Sequence, residues 1–168
     1  MPTGLKQTSS LIQISSAVTE SAANTFTVNQ VDLQLNPLDQ EVFVIQAVDI
    51  DLFPPSLVPG ATSVATLTLS STRRTTTGGI DAPNVVAAKR ITTQELGGSA
   101  VTNEYMASDS PASNLEYIAI VATNDFFLNI EGAANTAALS GNTRVYGYRA
   151  RADASVYAAL VQSEALSA

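Results

Sequence analysis

Two aspartates, Asp49 and Asp51, are the first candidates for chemistry, because they lie two residues apart in a segment with the pattern of a β-strand. Side chains at this spacing share one face of a strand. With Asp32 or Glu41 across a sheet, they would offer the oxygen ligands that Ca²⁺ prefers. The favoured interpretation is that they are outward-facing, solubilising charges. A catalytic carboxylate pair, as in a glycosidase, cannot be selected from 15 acidic residues.

A basic and aromatic cluster near the C-terminus is the second candidate. Its members lie on one predicted strand: Arg144, Tyr146, Tyr148, Arg149 and Arg151. On a sheet surface, such residues could stack on single-stranded bases or sugars. The favoured interpretation is structural, with the tyrosines packed inward and the arginines paired with acidic residues of neighbouring chains. A second basic pair, Arg73 and Arg74, falls in a Thr-rich loop and is expected to be solvated, with contact to a neighbouring subunit as the alternative.

The composition excludes the common catalytic sites. The 168 residues include no Cys and no His, which rules out Ser-His-Asp and Cys-His nucleophiles, thiolate metal sites and disulfides. There is no S-x-x-K, P-loop or G-x-G sequence, and Gly78-Gly79 and Gly97-Gly98 fall in predicted loops. We therefore predict that the chain is not an enzyme, and we assign no catalytic, cofactor-binding or metal-binding residue and no cofactor.

Charged residues are scarce in this chain. They make up 14% of the sequence, against about 25% in a typical soluble domain. Ser, Thr, Asn and Gln must therefore form most of the polar surface, as in a protein that packs against copies of itself or works outside the cell. An ordinary β-rich domain with a Thr-rich surface fits the composition equally well.

The charge balance argues against nucleic acid as a direct partner. The net charge is −7, and Lys6 is the single basic residue among the first 72. Neither half of the chain offers the basic surface that binds phosphates. No window is long and apolar enough to cross a bilayer, and the N-terminus lacks the charged and apolar regions of a signal peptide.

Residues 40–52 are the most strongly patterned segment and predict a long strand. One predicted face is almost wholly apolar: Val42, Val44, Val48, Ile50 and Leu52, with Gln46 the exception. The other face begins apolar and becomes polar: Phe43, Ile45, Ala47, Asp49 and Asp51. This pattern predicts burial on both faces at the start of the strand and on one face at its end. Prolines 54 and 55 end the strand.

Alternating hydrophobic residues predict several further strands. They cover residues 25–35, 61–69, 84–91, 101–107, 115–123, 126–131 and 143–152. The short apolar segment 11–14 is expected to be an edge strand or an arm on a neighbouring subunit. A phase change predicts a β-bulge near Asn29 and Gln30. Asn124-Asp125 predicts a tight hairpin between the two strands that flank it.

Between these strands, residues 36–39 predict a turn, and residues 71–79, 92–100 and 132–142 predict loops. A further loop is predicted to follow residue 107 and to extend through Pro111. Residues 155–168 fit a short helix or a strand. A terminal helix capped by Asp153 or Ser155 is favoured.

The predicted elements define an all-β fold. Eight or nine strands with irregular spacing and several long loops favour a two-sheet antiparallel β-sandwich of the jelly-roll type, with about eight strands and a short C-terminal helix. An immunoglobulin-like sandwich is the alternative. We divide the chain into an N-terminal arm, residues 1–24, and a single sandwich domain, residues 25–168.

The chain resembles the single jelly-roll structural proteins of virions. The resemblance lies in the overall pattern of strands 42–52, 115–123 and 126–130, the long Pro- and Thr-rich loops and the short apolar N-terminal arm. It implies a self-assembling capsid subunit that forms an icosahedral shell in the virion and contacts other virion proteins. Many such proteins carry an Arg- and Lys-rich N-terminal arm that neutralises the genome, and this chain does not. An internal membrane or a second protein layer is therefore expected to lie beneath the shell.

The alternative function is a binding module, either extracellular or on a viral spike, that recognises a carbohydrate or a receptor. Four tyrosines are the candidates for stacking on sugars: Tyr105, Tyr117, Tyr146 and Tyr148. The absence of Trp weakens this hypothesis, because Trp offers the largest apolar face.

Overall fold

A computed structural model describes residues 2–107 and 115–166. Ten strands lie in these two ranges: β1 (Leu5–Gln7), β2 (Ile12–Thr19), β3 (Thr27–Asp32), β4 (Glu41–Leu52), β5 (Thr62–Ser70), β6 (Val85–Leu96), β7 (Ser99–Ala107), β8 (Ala119–Val121), β9 (Asp125–Ala133) and β10 (Ser140–Ala152). A 3₁₀ turn spans Pro37–Asp39, and helix α1 spans Ala154–Leu166. The predicted all-β class and the favoured terminal helix are confirmed.

The strands form two antiparallel sheets. In sheet A the order is β10, β4, β8, with β1 and β2 both paired to the outer edge of β10. In sheet B the order is β3, β9, β5, β6, β7. The chain changes sheet at each connection from β2 to β5 and again from β7 to β10. Eight of the strands therefore follow the order of a jelly roll, namely β2-β10-β4-β8 facing β3-β9-β5-β6.

The main core fills the space between the two sheets. Its fully buried members include Phe43 and Val145 from sheet A and Leu67, Phe126 and Leu128 from sheet B. Each such side chain contributes about 1.5–3 kcal/mol through the removal of apolar surface from water. Inward-facing residues alternate with outward-facing ones along each strand, as expected for a sandwich.

A β-bulge at Gln46 changes which face of β4 meets the core. Ala47 pairs with Tyr146 and Ile45 pairs with Gly147, so Gln46 has no partner on β10. The predicted two-sided burial of the first half of β4 is confirmed, but the predicted faces are wrong. Residues on both sides of the bulge point into the sandwich: Phe43, Ile45, Val48, Ile50 and Leu52.

The outer face of the first half of β4 is covered by α1. Val42 and Val44 of β4 form a second apolar cluster with Tyr148, Ala150 and Ala152 of β10. Four residues of the helix pack against this cluster: Val156, Tyr157, Leu160 and Val161. The helix begins at Ala154, directly after Asp153, which was one of the two predicted caps.

Three local predictions are wrong. The bulge in β3 is absent, since Thr27 to Asp32 pair continuously with β9 while Phe26 and Val28 stay outside the core. Residues 115–123 contain a strand of only three residues, because only Ala119 to Val121 pair with β4, and Leu115 and Tyr117 are exposed. Asn124-Asp125 is a crossover between sheets and not a hairpin, since β8 pairs with β4 and β9 pairs with β3 and β5.

The segment 92–100 is the strand part of a hairpin and not a loop. β6 continues to Leu96, and Gly97-Gly98 forms a two-residue turn into β7, with φ values of 58° and 92°. The loop predicted to follow residue 107 and to extend through Pro111 lies outside the described residues.

The predicted N-terminal arm contains two edge strands. β1 and β2 both pair with β10, and so the segment 11–14 takes the first of its two predicted roles. The division into an arm of residues 1–24 and a domain of residues 25–168 remains a prediction.

Candidate functional site

The part of sheet A that α1 leaves uncovered is the first candidate surface, and we call it the open face. It consists of outward-facing polar residues of β2, β10 and β4: Gln13, Ser15, Asp49, Asp51, Asn142, Arg144 and Tyr146. Six of these residues, all except Gln13, are joined by hydrogen bonds within the sheet or line a shallow depression of about 620 Å³ between β2 and β4. The open face could therefore contact a polar ligand or another protein surface.

The charges of the open face are arranged as a short network. Tyr146 donates its hydroxyl to Asp49 at 3.1 Å, and Arg144 donates to the Tyr146 hydroxyl at 3.5 Å. The hydrogen bond to Tyr146, followed by the charge of that residue and of Asp49, raises the pKa of Arg144. Asn142 donates to Asp51 at 3.3 Å. The favoured interpretation of Asp49 and Asp51 as outward-facing charges agrees with this geometry.

The four acidic residues considered for Ca²⁺ do not come together. Asp32 lies on sheet B, opposite Asp125. Glu41 lies at the far end of β4, where it binds Arg149. Within residues 2–107 and 115–166, no three acidic side chains are close enough to hold a metal ion.

The predicted Arg-Tyr cluster divides into two groups. Arg144 and Tyr146 belong to the open face, whereas Arg149 and Arg151 lie at the opposite end of β10. Arg149 donates to the Leu33 carbonyl oxygen at 2.8 Å and pairs with Glu41 at 3.3 Å. Arg151 pairs with Asp39 at 2.8 Å. Both arginines thus bind acidic residues of their own chain, and Arg149 links β10 to the segment that follows β3.

The four tyrosines proposed for sugar stacking differ in exposure. Tyr148 is buried beneath α1, and this burial raises the pKa of its hydroxyl. Tyr146 is half-buried and bonded to Asp49. Tyr117 is 37% exposed and Tyr105 is 61% exposed. Tyr105 and Tyr117 therefore remain the candidates for stacking on a ligand.

Tyr105 lines a second depression, of about 420 Å³, on the outer face of sheet B. Tyr105 lies on β7 directly opposite Arg90 on β6. The loop between β5 and β6 contributes the far wall, including the exposed Ile80. We call this depression the Tyr105 groove. It offers an aromatic face beside a cation.

The arginines of the β5–β6 loop take different positions. Arg74 donates to the Pro83 carbonyl oxygen at 2.9 Å and to the Thr76 carbonyl oxygen at 3.3 Å, so it holds the loop in shape. Arg73 is exposed, as predicted. Thr77 donates to Glu131 on the outer face of sheet B at 2.9 Å, which fastens the loop to the sheet.

Two buried glutamates were not singled out from the sequence. Glu20 accepts the backbone N–H groups of Gly132 at 2.7 Å and Leu139 at 2.8 Å. Glu164 accepts those of Ala122 and Thr123. Each carboxylate binds two backbone N–H groups that are far away in the chain, and no local pattern identifies such a role.

The β6–β7 hairpin is the third candidate surface. Every side chain from Ser99 to Tyr105 is exposed, although these residues alternate between the two faces of sheet B. Leu96 and Val101 near the turn are 55% and 44% exposed. No other element in the described part of the chain covers either face of this strand.

The fold and these surfaces define the class of the protein as a jelly-roll β-sandwich. No protein-family model matches the sequence, and no curated protein matches it. Among solved structures, a chain of Desmodium yellow mottle tymovirus is similar over 92% of this chain and 96% of its own length, with 12% identity and a TM-score of 0.34.

A tailspike protein, gp49 from the Acinetobacter baumannii bacteriophage Fri1, a capsular polysaccharide depolymerase, is similar over 72% of this chain, with 10% identity and a TM-score of 0.17. The match covers 20% of the tailspike. TM-scores this low do not establish a shared fold, so the class assigned here rests on the strand order of this chain. In the described residues, no helix is long and apolar enough to span a membrane.

Proposed function

We propose that this protein is a structural subunit of a virion, which assembles with copies of itself into an icosahedral capsid. The observation that carries the proposal is the jelly-roll order of the two sheets. Viral capsid proteins are among the classes built on this fold, together with lectin domains and cupins. The step from fold to function is an analogy, since one fold serves many functions.

Two properties of the surface support self-assembly. Charged residues make up only 14% of the sequence. Large apolar side chains are exposed in the loop between β4 and β5, at Phe53 and Leu57, and in the β6–β7 hairpin, at Leu96 and Val101. Apolar surface of this kind is found where proteins contact one another.

The proposal also specifies how the subunit would relate to the genome and to other components of the virion. With a net charge of −7, the subunit is not expected to bind the genome directly. A membrane or a second protein layer would lie between shell and genome, and other virion proteins would complete the particle. The protein would act in the virion by packing and not as an enzyme.

Particle size tests the proposal. Purified protein should form large, uniform particles as its concentration and the salt concentration are varied, measured by multi-angle light scattering and seen in negative-stain electron micrographs. A species that stays monomeric across the whole series would contradict a role in a shell.

The Tyr105 groove supports one alternative, a module that binds carbohydrate on a cell surface or viral spike. Tyr105 offers its face to a sugar and Arg90 stands beside it. On a glycan array, Tyr105→Ala should abolish specific binding, whereas Phe53→Ala, which removes an exposed aromatic side chain outside the groove, should leave it unchanged. An array on which the unmodified protein binds no glycan would eliminate this alternative.

A further inference from the structure

Strand β7 has a free edge. It pairs with β6 along its whole length, from Ala107 opposite Ala88 to Ser99 opposite Leu96, without a register shift. In the described part of the chain, no other strand pairs with it. An unpaired edge presents backbone donors and acceptors to any strand that approaches.

The turn determines which backbone groups point to that edge. In a two-residue hairpin, the residues that flank the turn, here Leu96 and Ser99, form a hydrogen-bonded pair, and hydrogen-bonded and non-hydrogen-bonded pairs then alternate. Ala100, Thr102 and Glu104 therefore fall in non-hydrogen-bonded pairs, and their N–H and C=O groups point away from β6. Glu95, the partner of Ala100, shows the same alternation, since its N–H donates to the Ala61 carbonyl oxygen on the far side of β6.

The edge has no bulge and lacks the usual protection. Edge strands are commonly guarded by Lys, Pro or a bulge, and residues 99–107 contain none of these. The one charged residue is Glu104, which pairs with Lys89 of the same chain at 2.5 Å. The turn is also held in place, because Glu95 accepts the N–H groups of Gly98 at 2.6 Å and Gly60 at 2.8 Å.

We propose that β7 pairs antiparallel with β7 of a second copy, about a two-fold axis that passes through Asn103. The proposal rests on the proposed function and names one contact of the shell. It would join two five-stranded B sheets into a continuous sheet of ten strands. A two-fold interface uses the same surface on both copies, so the strand must be complementary to itself.

The backbone alternation leaves few registers for such a pair. The residues that can form hydrogen-bonded pairs with the second copy are Ala100, Thr102 and Glu104. Because these positions are separated by even numbers of residues, the two-fold axis must pass through one residue and not between two residues. With the axis at Glu104, two carboxylates lie directly opposite, which is destabilising. With the axis at Thr102, Val101 lies opposite the polar Asn103 of the second copy. Fewer residues of β7 then find a partner than with the axis at Asn103.

The axis at Asn103 gives the best match. Val101 then lies opposite Tyr105 of the second copy, twice, which forms two aromatic and β-branched pairs of the kind that stabilises sheets. Thr102 lies opposite Glu104, so no like charges meet. All of the residues from 99 to 107 find a partner in this register.

A single cysteine tests the register directly, because the chain contains no other Cys. At the axis, the two Asn103 residues form a non-hydrogen-bonded pair with Cα atoms about 4.5 Å apart, a distance that a disulfide can span. Asn103→Cys should form disulfide-linked dimers at least about ten times faster than Asn142→Cys, an exposed control on a strand of sheet A. Equal rates would overturn the proposal.

Charge at Thr102 provides an independent test. Thr102→Lys would face Glu104 of the second copy and should lower the dimer dissociation constant about fivefold or more, whereas Thr102→Glu should raise it by a similar factor. Thr75→Lys and Thr75→Glu make the same charge changes in an exposed loop and should leave it unchanged. Sedimentation velocity over a concentration series gives these constants.

The two proposals fail in distinguishable ways. If large particles form but Asn103→Cys does not cross-link preferentially and the Thr102 variants behave like the Thr75 variants, the shell function stands and the β7 contact is wrong. If the protein is monomeric at every concentration, both proposals are wrong.

Discussion

The carboxylate of Glu164 accepts the backbone N–H of Ala122 at 3.1 Å, although the two residues are 42 positions apart in the chain. Its second oxygen accepts the N–H of Thr123 at 2.9 Å. Ala122 and Thr123 begin the crossover from β8 to β9, where the chain leaves sheet A for sheet B. A side chain from the last turns of α1 therefore secures both the helix and the crossover.

Replacing Glu164 by Ala should destabilise the fold by about 3 kcal/mol, because two backbone N–H groups near the core lose their acceptor. The free energy of unfolding in urea measures this loss. Ser163→Ala, at an exposed position beside it, is the matched control and should have an effect within about 0.5 kcal/mol. Similar stabilities for the two variants would show that the contact contributes little.

Glu164 should also make stability depend on pH in an unusual direction. Burial raises the pKa of this carboxyl above its ordinary value of 4.5, so the folded protein holds the proton more tightly than the unfolded chain. The contribution of Glu164 to stability is therefore greatest below pH 4.5 and decreases as the pH rises through the raised pKa. Relative to Glu164→Gln, which does not titrate, the unmodified protein should lose stability across this window in a pH series of urea titrations. If the stability of the unmodified protein relative to Glu164→Gln instead increases with pH, the pKa of Glu164 is not raised in the folded protein.

Glu20 should protect the connection between β9 and β10 from local opening. Glu20→Ala removes the acceptor of two buried amides, and the cost should be about 3 kcal/mol. Hydrogen exchange should accelerate most at the N–H groups of Gly132 and Leu139, which donate to this carboxylate. Glu20→Gln keeps one acceptor oxygen and should show an intermediate effect. Uniform acceleration across the whole domain would indicate a general loss of stability and not a local anchor.

Gly147 should not tolerate a side chain. A Cβ at this position would lie 2.4 Å from the Val44 carbonyl oxygen and 2.7 Å from the ring of Phe43. Gly147→Ala should cost about 3 kcal/mol or more, because the backbone of β4 must move. At Gly141, the closest atom to an added Cβ is the end of the Leu67 side chain, at 2.6 Å, which can rotate away. Gly141→Ala should therefore cost less, about 1 kcal/mol, in the same urea titration.

The turn of the β6–β7 hairpin should respond in opposite ways to substitution at its two glycines. Gly97→Asn creates the Asn-Gly turn that two-residue hairpins prefer and should stabilise the fold by about 0.5 kcal/mol. Gly98→Val forces a β-branched residue to a φ of 92° and should cost about 2 kcal/mol. Thermal unfolding of both variants measures the difference, and equal effects would contradict the turn geometry.

The sandwich could be predicted from the sequence because its strands carry local signals. Ala65, Leu67 and Leu69 alternate with polar residues and face the core as predicted. The burial of the first half of β4 on both sides follows from its continuous apolar run. The favoured helix is confirmed, and it follows from the spacing of Val156, Ala159 and Leu160. The alternation of Tyr157, Ala159 and Val161 also fits a strand.

The errors arise where pairing over long distances decides the structure. The bulge at Gln46 depends on how β4 is matched to β10, about a hundred residues later, and nothing in the local sequence encodes that match. Leu115 and Tyr117 have the pattern of a buried strand but find no covering layer. The β6–β7 turn was a different kind of error, because Gly97-Gly98 is a known hairpin signal that the small, polar residues around it obscured.

The open face was predicted only in part. The outward direction of Asp49 and Asp51 follows from strand alternation. Their contacts with Tyr146 and Asn142 require the pairing of β4 with β10, which sequence patterns do not provide.

The position of β10 in the chain has a consequence for synthesis. β10 lies at the centre of sheet A and pairs with β1, β2 and β4, yet among the described strands it is the last to be translated. Those three strands cannot complete their pairing with β10 until residue 152 has left the exit tunnel of the ribosome. Contacts of such long range also slow folding once the chain is free. In the proposed assembly, sheet A is therefore complete for contact with a neighbouring copy only after residue 152 has been synthesised.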